Sequence, residues 1–139
     1  MPKSVGEKEK TRVLVADDNH DILMLFGELL ELKNFDVVGK ARNGKEAVEF
    51  YNNSRPEISF LDVLMPEGDG IYALEKIREI NPNAIVIMVT SDLASATAER
   101  LRQLHASAIV YKPFDINEIL KVIESLKSKD NLSHLKFHN

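Results

Sequence analysis

Four short apolar runs constrain this chain more than any other feature. Val13-Leu14-Val15-Ala16, Ile58-Ser59-Phe60-Leu61, Ile85-Val86-Ile87-Met88-Val89 and Ala108-Ile109-Val110-Tyr111 carry almost no polar interruption. A strand with one wet face alternates apolar and polar residues. Runs like these belong to strands covered on both faces, as in a parallel sheet flanked by helices. With a weaker fifth candidate, strands are expected at about 12–16, 35–39, 57–61, 84–89 and 107–111.

Helical periodicity fills the intervals. Residues 20–33 place Ile22, Leu25, Phe26, Leu29 and Leu30 on one stripe, and 44–52 carry Ala47, Val48 and Tyr51 at comparable spacing. Ile71, Leu74, Ile77 and Ile80 mark a third helix, closed at Asn81-Pro82 because proline disfavours helix in the residue before it. Residues 93–104 are rich in Ala and Ser, with Leu101 and Leu104. The last helix opens at Asp115 with Glu118 three residues on, a capping-box pattern, and presents Ile116, Ile119, Leu120, Ile123 and Leu126. Short connections and right-handed crossovers leave few topologies for such an alternation. The expected fold is α/β and flavodoxin-like, a doubly wound five-stranded parallel sheet of order 2-1-3-4-5 with five helices, the order resting on analogy.

At 139 residues the chain has one domain's worth of core. We expect a flexible arm over 1–11, a body over 12–127, and a polar tail over 128–139 in which Leu132, Leu135 and Phe137 pack weakly at best. The net charge of −4 lacks the basic footprint of a nucleic-acid binder. Absence of cysteine excludes disulfides, thiolate metal sites and thiol nucleophiles. No apolar stretch approaches the roughly 18 residues of a membrane span, and Met1 to Lys10 lack the apolar core of a signal peptide. A cytoplasmic protein without a membrane partner is the expectation.

The apolar runs also end alike. They lead into Asp17-Asp18, Asp62, Thr90-Ser91 and Lys112-Pro113, and in open parallel sheets ligands bind at the carboxyl ends of the strands. Each signal has a plainer reading. Asp17 or Asp18 would serve as the cap of the helix starting near His20, Asp62 as a turn starter before Val63-Leu64-Met65-Pro66, and Thr90 or Ser91 as another cap. Lys112 resists one, since a cation before a helix N-terminus faces the unfavourable end of the macrodipole. Four such residues at successive strand ends make a joint site. Like charges ~4 Å apart repel by roughly 4 kcal/mol at an effective dielectric of 20, so three clustered carboxylates need a proton or a cation. Mg2+ suits an all-oxygen site with few protein ligands and a phosphate partner. A carboxylate beside Mg2+ and Lys112 can act as nucleophile on a phosphoryl donor, and Thr90 can donate a hydrogen bond to the phosphate formed.

The acidic pair Asp17-Asp18, the stretch Asp62-Val63-Leu64-Met65-Pro66 with Gly68 and Gly70, Thr90, and Lys112-Pro113-Phe114 together resemble the receiver domain of two-component response regulators over about residues 12–127. The resemblance implies a single-domain, chemotaxis-regulator-like switch with Asp62 as phosphoacceptor. Mg2+ would be held by Asp18, Asp62 and the backbone carbonyl of Leu64, with Asp17 acting mainly through metal-bound water. Lys112 would pair with the acceptor and then the phosphate, and the Lys112-Pro113 peptide would be cis. A sensor histidine kinase would supply the phosphoryl group. Output would come from binding a downstream protein target or from passing the phosphate to a phosphotransfer protein, the chain being a monomer or a weak phosphorylation-dependent dimer.

Two departures bear on signalling. Ile109 stands where the family usually has Tyr or Phe, and has no ring to swing; Tyr111 shares its strand face, nearer the lysine. His105 replaces a usual glycine. By the same resemblance, Leu64 and Asp92 flank the acceptor and influence how long the phosphate lasts; an apolar Leu64 cannot orient an attacking water. His20, His105, His134 and His138 lack metal-ligand spacing, and His20 reads as a solvated first-turn residue. The chain is not expected to be an enzyme beyond self-phosphorylation and self-dephosphorylation. The alternative is a phosphatase or phosphotransferase working through an aspartyl phosphate, although the haloacid-dehalogenase type wants an aspartate where Leu64 stands. A flavin carrier would need a Ser/Thr/Gly-rich phosphate loop in place of Asp17-Asp18-Asn19.

Overall fold

A computed structural model describes residues 9–66 and 69–130. Strands and helices alternate without exception: β1 (Arg12–Ala16), α1 (His20–Leu32), β2 (Asp36–Ala41), α2 (Gly44–Ser54), β3 (Ile58–Asp62), α3 (Gly70–Ile80), β4 (Ile85–Thr90), α4 (Ser95–Gln103), β5 (Ala108–Tyr111) and α5 (Ile116–Asp130). The five strands are parallel and ordered β2-β1-β3-β4-β5, as expected.

Both faces of the sheet are covered, which is why its strands read as continuous apolar runs. Leu14, Ala16, Leu61, Val86 and Met88 face α2, α3 and α4, where Ala47, Tyr51, Leu74, Ile77 and Leu101 meet them. The alternate residues Val13, Val15, Phe60, Ile87 and Val110 face α1 and α5, against Leu23, Phe26, Leu30, Ile119 and Ile123. Each fully buried aliphatic side chain contributes about 1.5–3 kcal/mol relative to exposure.

Several boundaries differ from the sequence expectation. β2 starts at Asp36, one residue later than expected: Asn34 turns the chain in the left-handed region at φ 73, and Phe35, 8% exposed in the core on the α1–α5 side, donates its N–H back to Leu30 O at 3.0 Å. In α1 the buried stripe is Leu23, Phe26, Gly27 and Leu30, while Ile22 and Leu25 are exposed. Two apolar stripes share this helix, and docking selects the one whose Gly27 leaves room for the Lys40 stem: a Cβ there would lie 2.8 Å from Lys40 Cε. α2 continues to Ser54, and α4 is shorter than expected, because Leu93 is exposed and Leu104 is the C-cap.

The last helix has the expected box. Asp115 N donates to Glu118 Oε1 at 3.3 Å and Glu118 N to Asp115 Oδ1 at 3.1 Å. α5 runs to Asp130, so residues 128–130, expected in the tail, are helical. The rest of the tail, with Leu132, Leu135, Phe137, His134 and His138, lies outside the described residues, as does the arm before residue 9.

Candidate functional site

The strand order puts β1 and β3 side by side, with Ala16 paired to Leu61. Their next residues, Asp17 and Asp62, therefore emerge together. Oxygens of Asp17, Asp18 and Asp62 all lie within 4.8 Å of one another. Asp17 and Asp62 are buried, at 7% and 9% exposure, and Asp18 is exposed.

The capping alternative for Asp17 and Asp18 does not hold. Asn19 caps α1, its side chain accepting from Ile22 N at 3.1 Å. Asp17 instead accepts from Asn19 N at 2.9 Å through Oδ1 and leaves Oδ2 facing the pocket, where Lys112 Nζ donates to it at 2.8 Å. Lys112 also reaches Asp62 Oδ2 at 3.4 Å. The ammonium is thus shared, and its nearer partner is Asp17 rather than the expected acceptor.

Lys112 arrives by extension of β5: its N–H donates to Thr90 O at 2.8 Å. The Lys112-Pro113 peptide is cis, as expected. Phe114 then packs edge-on against Phe26, centroids 5.3 Å apart, and Phe26 against Phe60 at 5.2 Å. This aromatic stack ties the lysine segment to α1 and β3.

The loop after Asp62 folds back tightly. Gly70 N donates to Val63 O at 2.9 Å, and a Cβ on Gly70 would fall 2.0 Å from the Asp62 carbonyl oxygen, so only glycine fits. Asp69 caps α3 by accepting from Tyr72 N. Leu64 stands on the rim with its side chain 62% exposed. Gly68 lies outside the described residues.

Thr90 ends β4 beside Tyr111 and is 1% exposed. It does not cap α4; its Oγ1 accepts from Asp92 N at 2.9 Å, and the N-cap Ala94 offers no side-chain bond. Ile109 is half-buried against the α2–α4 side of the core, and Tyr111 lies at the rim, 40% exposed. His20 is exposed in the first turn of α1, as expected.

Electrostatics follow from this crowding. Burial raises the pKa of Asp62 above its usual value; Lys112 pulls it back, while Asp17 and Asp18 push it further up. Burial alone would lower that of Lys112, but its hydrogen bond to Asp17 and the charge of Asp62 outweigh this, and the ammonium is held more firmly than usual. A convergent all-oxygen set in which Asp62 resists ionisation fits a hard divalent cation such as Mg2+.

Sequence reasoning did not single out Asn19 or Arg78. Asn19 was legible as a polar residue before an apolar stripe. Arg78 left no local signal, since its acceptors are His105 O, Ala84 O and Ser107 Oγ.

Comparison with known proteins agrees with this architecture. The response regulator receiver domain family matches residues 13–124. The chemotaxis protein CheY of Bacillus subtilis is 34% identical over 112 residues, covering 81% of this chain and 93% of its own. A chain of the CheX–CheY–BeF3–Mg complex from Borrelia burgdorferi superposes with a TM-score of 0.79 at 29% identity, over 84% of this chain and 88% of that one. A CheY-like receiver domain protein from Methanospirillum hungatei gives 0.81 at 25% identity, over 88% and 98%. With the carboxylate cluster at the switch point of the matching fold, the chain belongs to the response regulator receiver domain family, whose members are signalling switches.

Proposed function

We propose that this chain is a single-domain response regulator that takes a phosphoryl group onto Asp62 from a histidine kinase. The observation that carries the reading is the convergence of Asp17, Asp18 and Asp62 with Lys112 shared between two of them. An Asp62 oxygen attacks phosphorus in line as the bond from phosphorus to the imidazole nitrogen breaks. The leaving imidazole keeps that electron pair. Lys112 then follows the negative charge from the carboxylate to the phosphoryl oxygens, and the Thr90 hydroxyl donates to one of them.

Asp18, Asp62 and the backbone carbonyl of Leu64 would hold Mg2+, with Asp17 acting through water; the clustered carboxylates support this set. When bound, the cation offsets charge on the phosphoryl oxygens.

Partner recognition has a surface available. Ile22, Leu25, Leu29 and Leu32 form an apolar stripe on α1, in which Leu25 is 57% and Leu32 80% exposed. Spacings of three and four residues suit packing against another helix, and the stripe begins next to the acidic pocket. The donor protein's histidine-bearing helix is the occupant this arrangement favours. Output proceeds by binding a downstream protein or by relay of the phosphate. No helix among the described residues is long and apolar enough to cross a membrane, and the proposed setting is the cytoplasm.

The test is incubation with a small-molecule phosphodonor and Mg2+, read by intact mass. One phosphoryl group per chain is expected, mapped to Asp62, absent in Asp62→Ala and removed by hydroxylamine. Continuous release of phosphate with no accumulated adduct would instead establish a phosphatase.

A further inference from the structure

Asp62 and Lys112 stand on separate elements, and one apolar side chain spans the two. Asp62 ends β3 two residues after Phe60, and Lys112 follows β5 two residues before Phe114. Phe26, on α1, meets both of those rings. Its centroid lies 5.2 Å from that of Phe60 at an interplanar angle of 70°, and 5.3 Å from that of Phe114 at 66°. Both are edge-to-face contacts, whose attraction depends on how the rings are oriented. The acceptor strand and the lysine segment are thus keyed to the same ring.

Little free space is left around the lysine. A cavity of about 10 Å3 remains beside it, bordered by Phe26, Phe60, Phe114, Val89, Asp17 and Lys112 itself. That is about the room a single water needs. Phe26 and Phe60 are buried, at 9% and 1% exposure, and the Lys112 side chain is 21% exposed. Leu30, one turn further along α1, is wholly buried but does not border this cavity.

We infer that Phe26 is a positioning residue: wedged between Phe60 and Phe114, its ring sets the approach of Lys112 to the phosphoryl group on Asp62. The inference rests on the reading of Asp62 as phosphoacceptor. A lysine carries a compact charge on a flexible stem. Its tip is held at 2.8 Å by Asp17 and at 3.4 Å by Asp62. Those bonds change as the phosphoryl group arrives, whereas the ring contacts do not. The packing around the stem is therefore what carries over from the free site to the transition state. Phe26→Leu removes the ring edges and leaves the stem room to swing toward α1. A displaced ammonium stabilises the phosphoryl oxygens less.

Labelling of Asp62 by acetyl phosphate on the full chain, at saturating Mg2+ and across donor concentrations, tests the role by intact mass. Phe26→Leu should lower the maximal rate about tenfold and leave the half-saturating donor concentration within about twofold. Phe114→Leu, at a half-buried position, should do the same. The double variant should be no slower than the slower single one, because both changes break one chain of contacts. Leu30→Ala removes as many carbon atoms from the same helix and should label at the wild-type rate. Thermal melts establish that each variant is folded. The inference is overturned if Phe26→Leu keeps the wild-type maximal rate, or if Phe114→Leu keeps it where Phe26→Leu does not fold. It is also overturned if Leu30→Ala slows labelling as much, which marks general loosening, or if the two ring effects multiply. Failure of wild-type Asp62 to take label overturns the functional reading as well, whereas a labelled wild type with unaffected ring variants overturns this inference alone.

Discussion

The ammonium of Lys112 sits 2.8 Å from Asp17 Oδ2 and 3.4 Å from Asp62 Oδ2. The cation is therefore held chiefly by Asp17, and Asp62 carries a buried negative charge that is only partly offset. Removing that charge should stabilise the metal-free fold. Asp62→Asn is expected to raise stability by about 1 kcal/mol at neutral pH. The sign follows from the raised pKa of Asp62: ionisation is harder in the folded state, so the ionised group opposes folding. The gain is present above the folded-state pKa and vanishes as pH falls below the usual value of 3.8, where both states are protonated. Thermal melts across pH, with and without Mg2+, check it; Mg2+ should stabilise the wild type more than the variant.

Leu64 projects from the rim beside Asp62 with an aliphatic side chain that cannot hold a water. Leu64→Asn supplies a donor and an acceptor at that point. The aspartyl phosphate should then decay roughly 3–10-fold faster, because a positioned water is closer to an attacking geometry. Loss of label after removal of the phosphodonor measures it, and equal decay in both proteins would exclude the role.

Leu25 lies on the exposed stripe of α1 and takes no part in the carboxylate–lysine cluster. Leu25→Glu should weaken phosphotransfer from a protein donor by about tenfold, the order of losing one apolar anchor from an interface. Labelling by a small-molecule donor should be unchanged. A parallel loss with both donors would show damage to the site rather than to docking.

His105 occupies the left-handed region at φ 62, where the turn after α4 calls for a residue without a Cβ. Arg78 bonds its carbonyl, not its side chain, so His105→Gly keeps the clamp. Relief of the left-handed strain, less the entropy glycine adds to the unfolded chain, should stabilise by about 1 kcal/mol. Equilibrium denaturation by urea reads the difference.

Much of this molecule was legible locally. The apolar runs specified strands covered on both faces, Asp115 and Glu118 specified the start of α5, and Asn81-Pro82 the end of α3. The residue types at the strand ends pointed to one joint site, because carboxylates, a hydroxyl and an ammonium have few other uses together, and the carboxylates and Lys112 do converge. Periodicity could not choose between the two apolar stripes of α1. Both have helical spacing, and only docking on the sheet, with Gly27 against Lys40, buried one and left the other exposed.

The same holds for the site's couplings. Lys112 meets Asp17 across 95 residues of sequence, and Arg78 reaches the carbonyl of His105 across 27. Strand and helix types follow from neighbours along the chain, whose side chains repeat with a fixed period. Which carboxylate holds the lysine, and which carbonyl holds Arg78, depend on distances between separate elements, and those exist only once the sheet has assembled.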